Sequence, residues 1–190
     1  MKAIETRYKG YRFRSRLEAR WAVFLDALNT KYTYEREGYD LSGQWYLPDF
    51  YVPDWNCWIE IKGQEPSAEE IAKCEALARA SGKIVLMVIG DPWAADQGND
   101  YDVRLFNVSD LANAGAEDRW GSKGWEFGQG RRCEEEIWLV NDELGAFTLK
   151  GIPHKGDDRY PLSGTWAKHI VNALSAAREA RFEHGETPKL

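Results

Sequence analysis

Apolar residues recur along this chain at two periods, and the change of period marks out the elements. From Ser15 onward Leu17, Trp21, Phe24, Leu25 and Leu28 fall at three- and four-residue intervals, which predicts a helix with one buried stripe. From Tyr46 the period drops to two, which predicts strands. Pro53-Asp54-Trp55-Asn56 carries turn chemistry, with a proline that fixes its backbone and Asp and Asn able to bond nearby amides. If those four residues form the loop of a hairpin, Val52 faces Cys57, Tyr51 faces Trp58, Phe50 faces Ile59, Asp49 faces Glu60 and Leu47 faces Lys62. Alternation then puts Tyr46, Pro48, Phe50, Val52, Cys57, Ile59 and Ile61 on an apolar, core-like face. Asp49, Glu60 and Lys62 share the opposite face.

The remaining pattern predicts an α/β arrangement. Tyr32 to Gly38 reads as a strand before Trp45. Ser67-Ala68-Glu69-Glu70 is a capping box that opens a second helix, with Ile71, Cys74, Leu77 and Ala78 inward and Gly82 as its stop. Ile84 to Ile89 is a continuous apolar run, as expected of a strand buried on both faces. Joined through the helix to the second hairpin strand, it makes a crossover that should be parallel and right-handed. Residues 91–102 read as an acidic loop, and Val103 to Val108 as a short strand. Gly115 to Gly130 reads as a glycine-rich loop with Trp120, Trp125 and Phe127. It is either a flap stacking on unpaired bases or a surface connection whose tryptophans pack back on the core. Glu136 to Val140 and Ala146 to Leu149 suggest a hairpin around residues 141–145. A last helix is expected after Ser163 or Thr165, with Trp166, Ile170, Ala173, Leu174 and Ala177 on one side, ending near Gly185. The division implied is a core over residues 1–110, a connection over 111–130 and an α+β elaboration over 131–190.

The polar face of the hairpin suggests chemistry. Directly opposed β-carbons sit roughly 5 Å apart, and two carboxylates at that separation repel by roughly 3 kcal/mol at an effective dielectric near 20. A bound Mg²⁺ offsets that repulsion, since this ion takes one or two carboxylates with waters and phosphate oxygens. Lys62, one alternation beyond Glu60, would orient or deprotonate a water and balance charge on a phosphate. Glu18, at the edge of the first helix's buried stripe, is a third carboxylate able to face the same cleft. Each has an ordinary alternative: residues 59–62 as a half-exposed strand, and Ser15 to Glu18 as a capping box. Pro53-Asp54 is a rival to Pro48-Asp49, but Asp54 falls in the turn and cannot pair with Glu60. Gln64 continues the face of Glu60 and Lys62, or is a solvated loop residue.

A glutamate on a first helix, Pro48-Asp49 and then Glu60-Ile61-Lys62 together resemble the PD-(D/E)XK nuclease superfamily of restriction-endonuclease-like folds. Phe13-Arg14-Ser15-Arg16-Leu17-Glu18-Ala19-Arg20 is similar to the helix opening of phage and mobile-element members, including transposon-end nucleases. The resemblance covers residues 10–90. It implies a core of helix, three-strand meander, helix and strand, and Mg²⁺-dependent hydrolysis of DNA phosphodiesters, with Mn²⁺ as a substitute. It further implies Asp49, Glu60 and the Ile61 carbonyl as metal ligands, Lys62 as water-positioning base, Glu18 as an auxiliary acid, and products with a 5′-phosphate and a 3′-hydroxyl. Gln64 resembles an extra glutamine of some members. The competing expectation is an inactive nuclease-fold module that binds DNA or a protein partner.

Composition bounds these readings. The 190 residues, 43% of them apolar, suffice for one packed domain with an elaboration. No apolar run approaches bilayer length and residues 1–5 do not begin a signal peptide, so a cytoplasmic protein is expected. Cys57, Cys74 and Cys133 are scattered and odd in number, and His154, His169 and His184 are few, which disfavours a zinc centre. Net charge is −6, a poor footprint for a protein that coats DNA. Residues 1–20, however, set seven cations against two anions, a local +5 that leaves −11 for the remainder. Lys9, Arg12, Arg14, Arg16 and Arg20 of this segment are the candidate nucleic-acid contacts. The sequence does not distinguish DNA from RNA, nor pairing of two copies from targeting by a partner protein.

Overall fold

The computed structural model describes residues 3–41, 43–95, 98–108, 120–130, 136–150 and 167–182. A small hairpin of β1 (Thr6–Tyr8) and β2 (Tyr11–Phe13) leads into α1 (Arg16–Ala27), followed by β3 (Thr33–Tyr34). A second small hairpin, β4 (Tyr39–Leu41) and β5 (Gln44–Tyr46), precedes the central strands β6 (Phe50–Val52) and β7 (Cys57–Lys62). Next come α2 (Ala68–Ser81), β8 (Ile84–Ala95), β9 (Gly98–Phe106), β10 (Ser122–Gln129), β11 (Ile137–Asn141), β12 (Gly145–Lys150) and α3 (Lys168–Glu179). One eight-stranded sheet, ordered β12-β11-β10-β9-β8-β7-β6-β3, forms the centre, and three helices flank it. Its pairs are antiparallel except β7 with β8, the parallel pair that α2 joins.

Strand alternation builds a core on each face of this sheet. Phe50, Val52, Cys57, Ile59, Ile61, Leu86 and Val88 point to the side covered by α1 and α3. Tyr51, Trp58, Val85, Met87 and Phe106 point to the side covered by Cys74, Leu77 and Ala78 of α2. The hairpin register is the one expected, Val52 opposite Cys57, Tyr51 opposite Trp58 and Phe50 opposite Ile59. Its turn is a 3-10 turn over Pro53–Trp55 closed by Asn56 in the left-handed region. Both caps of α2 also match expectation: Ser67 and Glu70 form the capping box, and Gly82 ends the helix at φ 63°. Among the described residues, no helix is long and apolar enough to cross a membrane.

Several expectations need correction. Tyr46 packs with the α2 core instead of sharing the face of Phe50, because β5 belongs to a separate hairpin out of line with β6. The strand foreseen over 32–38 is two residues long. The acidic loop over 91–102 is largely strand, since β8 and β9 continue as a long ribbon with an irregularity between Gly90 and Ala94. Gly90 has φ 95° there, and a β-carbon on it would sit 2.3 Å from the Asp100 carbonyl, so only glycine fits. The glycine-rich segment from Ser122 is strand β10, with Trp125 and Phe127 each 1% exposed, so it is core and not a flap. The α1 stripe is wider than expected. Ala19, Ala22 and Val23 are buried besides Trp21, Phe24, Leu25 and Leu28, because α3 packs against this helix, whereas Leu17 is half-buried. The last helix buries Ile170, Ala173, Leu174 and Ala177 as expected, but it ends at Glu179, well before Gly185. Gly115, Cys133, His154, Ser163, Thr165, Trp166, His184 and Gly185 lie outside the described residues.

Candidate active site

Asp49 sits one residue before β6 and Glu60 on β7 one residue past the last β6–β7 pair, Phe50 with Ile59, at the open end of the hairpin. Both are buried, at 3% and 6% exposure. Asp49 Oδ2 accepts the Ile61 backbone N–H at 2.8 Å, and Oδ1 pairs with Arg14 Nη2 at 2.7 Å. The Ile61 bond places the Asp49 carboxylate across the end of the hairpin ladder, against the strand that carries Glu60. Burial, then the charges of Glu60 and Glu18, push the Asp49 carboxyl well above the usual carboxylate range, against the opposing pull of the Ile61 amide and Arg14.

Glu60 is less well served. Its Oε1 pairs with Lys62 Nζ at 3.1 Å, as alternation along one strand face allows. Its Oε2 is buried and has no hydrogen-bond partner among the described residues. The Tyr46 hydroxyl, 3.6 Å from Cys74 Sγ, also lies near enough to the Glu60 carboxylate to interact with it, but not in hydrogen-bond geometry to Oε2. A buried carboxylate oxygen without a partner is costly and calls for a ligand, a proton or a water.

Lys62 bridges Glu60 and Glu70, the latter at 2.8 Å. Partial burial lowers its basicity, but the two carboxylates outweigh this and raise it overall, so the group is a held ammonium. In this arrangement it orients and balances charge and has no lone pair to take a proton. Glu70 in turn is pulled down to about 2 by the Lys62 hydrogen bond and then by the Ser67 amide. The capping residue of α2 therefore also anchors the lysine, a link that the capping-box reading alone does not reveal.

Glu18 is drawn toward this centre but is engaged locally. Its Oε1 accepts the Ser15 hydroxyl at 2.7 Å, and its Oε2 accepts the Tyr34 hydroxyl at 2.5 Å and the Arg14 amide at 3.0 Å. The Ser15 hydroxyl accepts the Glu18 amide, so the cap is present, but the carboxylate reaches Arg14 instead of the Ser15 amide. Tyr34, which the sequence marks only as a strand residue, takes this place because β3 pairs with β6 and sets its ring beside α1.

Two hollows flank β7. One of about 340 Å³ is lined by Arg14, Trp45, Glu60, Lys62 and Lys73 among others. A wider cleft of about 990 Å³ is lined by Arg16, Glu18, Arg20, Lys62, Gln64 and Asp91 among others. Gln64 thus joins Lys62 at a cleft wall. Arg14, Arg16 and Arg20 lie at these hollows, whereas Lys9 and Arg12 belong to the β1–β2 hairpin, where Lys9 pairs with Asp26 at 3.0 Å and Arg12 with Glu5 at 2.6 Å. Arg20 pairs with Asp91 at 2.9 Å, and Arg14 with Glu35 at 2.8 Å as well as with Asp49. Much of the positive charge of the N-terminal segment is thereby matched by acids from elsewhere in the chain.

Among the described residues, no three His, Cys, Asp or Glu side chains form a ready-made metal cage. The donor set still fits a hard cation that keeps most of its waters, since Asp49 and Glu60 repel each other and one Glu60 oxygen lacks a partner. No family model, curated protein or solved structure matches the chain.

Proposed function

We propose that the Asp49–Glu60–Lys62 centre is that of a Mg²⁺-dependent nuclease that hydrolyses DNA phosphodiesters, on a restriction-endonuclease-like core formed by α1, β3, β6, β7, α2 and β8. The observation that carries this reading is the buried, mutually repelling pair Asp49 and Glu60, with a Glu60 oxygen left unpartnered beside a held lysine. A stable scaffold gains nothing from such a pair. Asp49, Glu60 and the Ile61 carbonyl would hold the ion, which when bound lowers the pKa of a water and stabilises charge developing on the phosphate. Lys62, steered by Glu70, holds an ammonium where it can orient water and offset phosphate charge. Glu18 fixes Tyr34 and the start of α1, which keeps Arg14 against Asp49. Arg14, Arg16 and Arg20 supply the cationic rim for the strand.

Incubation of the protein with supercoiled, linear and branched DNA in Mg²⁺ or Mn²⁺ tests the reading. Asp49→Ala and Glu60→Ala are each expected to lower cleavage by at least about 10²-fold. Undiminished cleavage in those variants would refute it. The second reading, an inactive module of the same fold that binds DNA or a protein, draws on the ion pairs Arg14–Asp49 and Lys62–Glu70, which occupy the groups that catalysis would use. Cation binding that needs Asp49 and Glu60 separates the two, because a module has no use for it.

A further inference from the structure

Trp45 is 70% exposed, in contrast to the buried Trp21, Trp55, Trp58, Trp125 and Trp138. Its position follows from alternation on the β4–β5 hairpin, where Tyr39 faces Tyr46, Asp40 faces Trp45 and Leu41 faces Gln44. Tyr39, Leu41 and Tyr46 turn inward onto the α2 core, so Asp40 and Trp45 turn outward. The hairpin is tied down at several points. Tyr39 meets the Trp58 ring edge-on at 5.5 Å, and Gln44 Nε2 donates to Glu69 Oε1 of α2 at 3.2 Å.

The indole touches backbone as well as being exposed. It lies against Gly38 so closely that a β-carbon there would come within 2.1 Å of its ring. One part of the ring thus rests on bare backbone, and the remainder is open to solvent at the rim of the hollow that holds Glu60, Lys62, Arg14 and Lys73. An open aromatic surface beside Arg14, Lys62 and Lys73, at the rim of a candidate phosphate centre that also carries Glu60 and Glu70, has the chemistry of a base-stacking platform. A base pair inside a duplex has both faces covered by its neighbours and is closed to such a platform.

We propose that Trp45 stacks on an unpaired base of the strand whose phosphate lies at Glu60 and Lys62, so that the substrate is single-stranded or locally unpaired. This rests on the nuclease reading of that centre and adds the state of the strand. Binding of fluorescent (dT)12, of a fully abasic chain of equal charge and of a blunt 12-base-pair duplex, all measured in EDTA, tests the platform without any cleavage. The wild-type protein should prefer (dT)12 to the abasic chain by about tenfold or more. Trp45→Ala should abolish that preference while leaving affinity for the abasic chain and the duplex unchanged, and Trp45→Phe should retain most of it. Gly38→Ala, which displaces the ring without removing it, should weaken the preference too. Equal binding of (dT)12 and abasic chain by the wild type, or an unchanged preference in Trp45→Ala, would overturn the inference. Cleavage that is lost in Asp49→Ala but indifferent to Trp45→Ala would leave the nuclease reading standing and this inference refuted.

Discussion

At Asp49 two demands compete, since its carboxylate must be ionised to hold a cation while burial and two neighbouring acids oppose ionisation. A carboxyl raised in the folded state favours folding most when protonated. Its contribution is present below its ordinary value near 3.8 and is lost as pH rises through the raised folded value. Asp49→Asn keeps an acceptor for the Ile61 amide and removes the charge. In chelator its melting temperature should therefore gain on the wild type between pH 4 and pH 8, and an equal difference at both pH values would contradict this. Glu70 has the opposite sign. Its carboxyl, pulled down to about 2 by Lys62 and Ser67, contributes stability above about 4.5 that fades as pH falls toward 2. Glu70→Ala should cost about 1 kcal/mol at neutral pH through the lost cap, a deficit that denaturant titration should find shrinking in acid.

Among the elements, the hairpin and the caps were legible in the sequence because they depend on neighbours a few residues apart. Pro53 to Asn56 dictates the turn, the turn dictates that Phe50 opposes Ile59, and Ser67 with Glu70 and Gly82 bounds α2. Contacts set by distant chain segments were not legible. The ion pair of Arg14 with Asp49, the Tyr34 bond to Glu18 and the Lys62 bridge to Glu70 each join elements that only the assembled sheet brings together. Strand β10 was obscured by its glycines, which suggest a loop although Trp125 and Phe127 alternate into the core. The β4–β5 hairpin was missed, although Gly43 between Leu41 and Gln44 is turn chemistry. Phe127 packs among Trp21, Phe24, Trp55 and Tyr101 with ring centroids 5.0–6.1 Å apart. Phe127→Ala should cost about 3–5 kcal/mol in denaturant titration, and a loss below 1 kcal/mol would show that β10 is not integral to the core.

For the molecule as a whole, the sheet runs unbroken from β3 to β12, and α3 from the C-terminal part packs against α1 from the N-terminal part. Unfolding should accordingly show one cooperative transition across the described elements, by fluorescence and by circular dichroism alike. The same assembly pairs Lys9, Arg12, Arg14 and Arg20 with acids, which lowers the charge that the N-terminal segment offers to DNA. Duplex binding should be weak, with a log affinity against log salt slope no steeper than about −3. The reading of the centre depends most directly on whether Asp49 and Glu60 together bind a divalent cation. Calorimetric titration of Mn²⁺ into the wild type, Asp49→Asn and Glu60→Gln proteins, with and without (dT)12, measures that. Saturable binding of one ion by the wild type, lost in both variants while their folding is intact, is the predicted result. Equal binding by all three proteins, or no binding by the wild type even with (dT)12 present, would contradict a metal-dependent centre between β6 and β7.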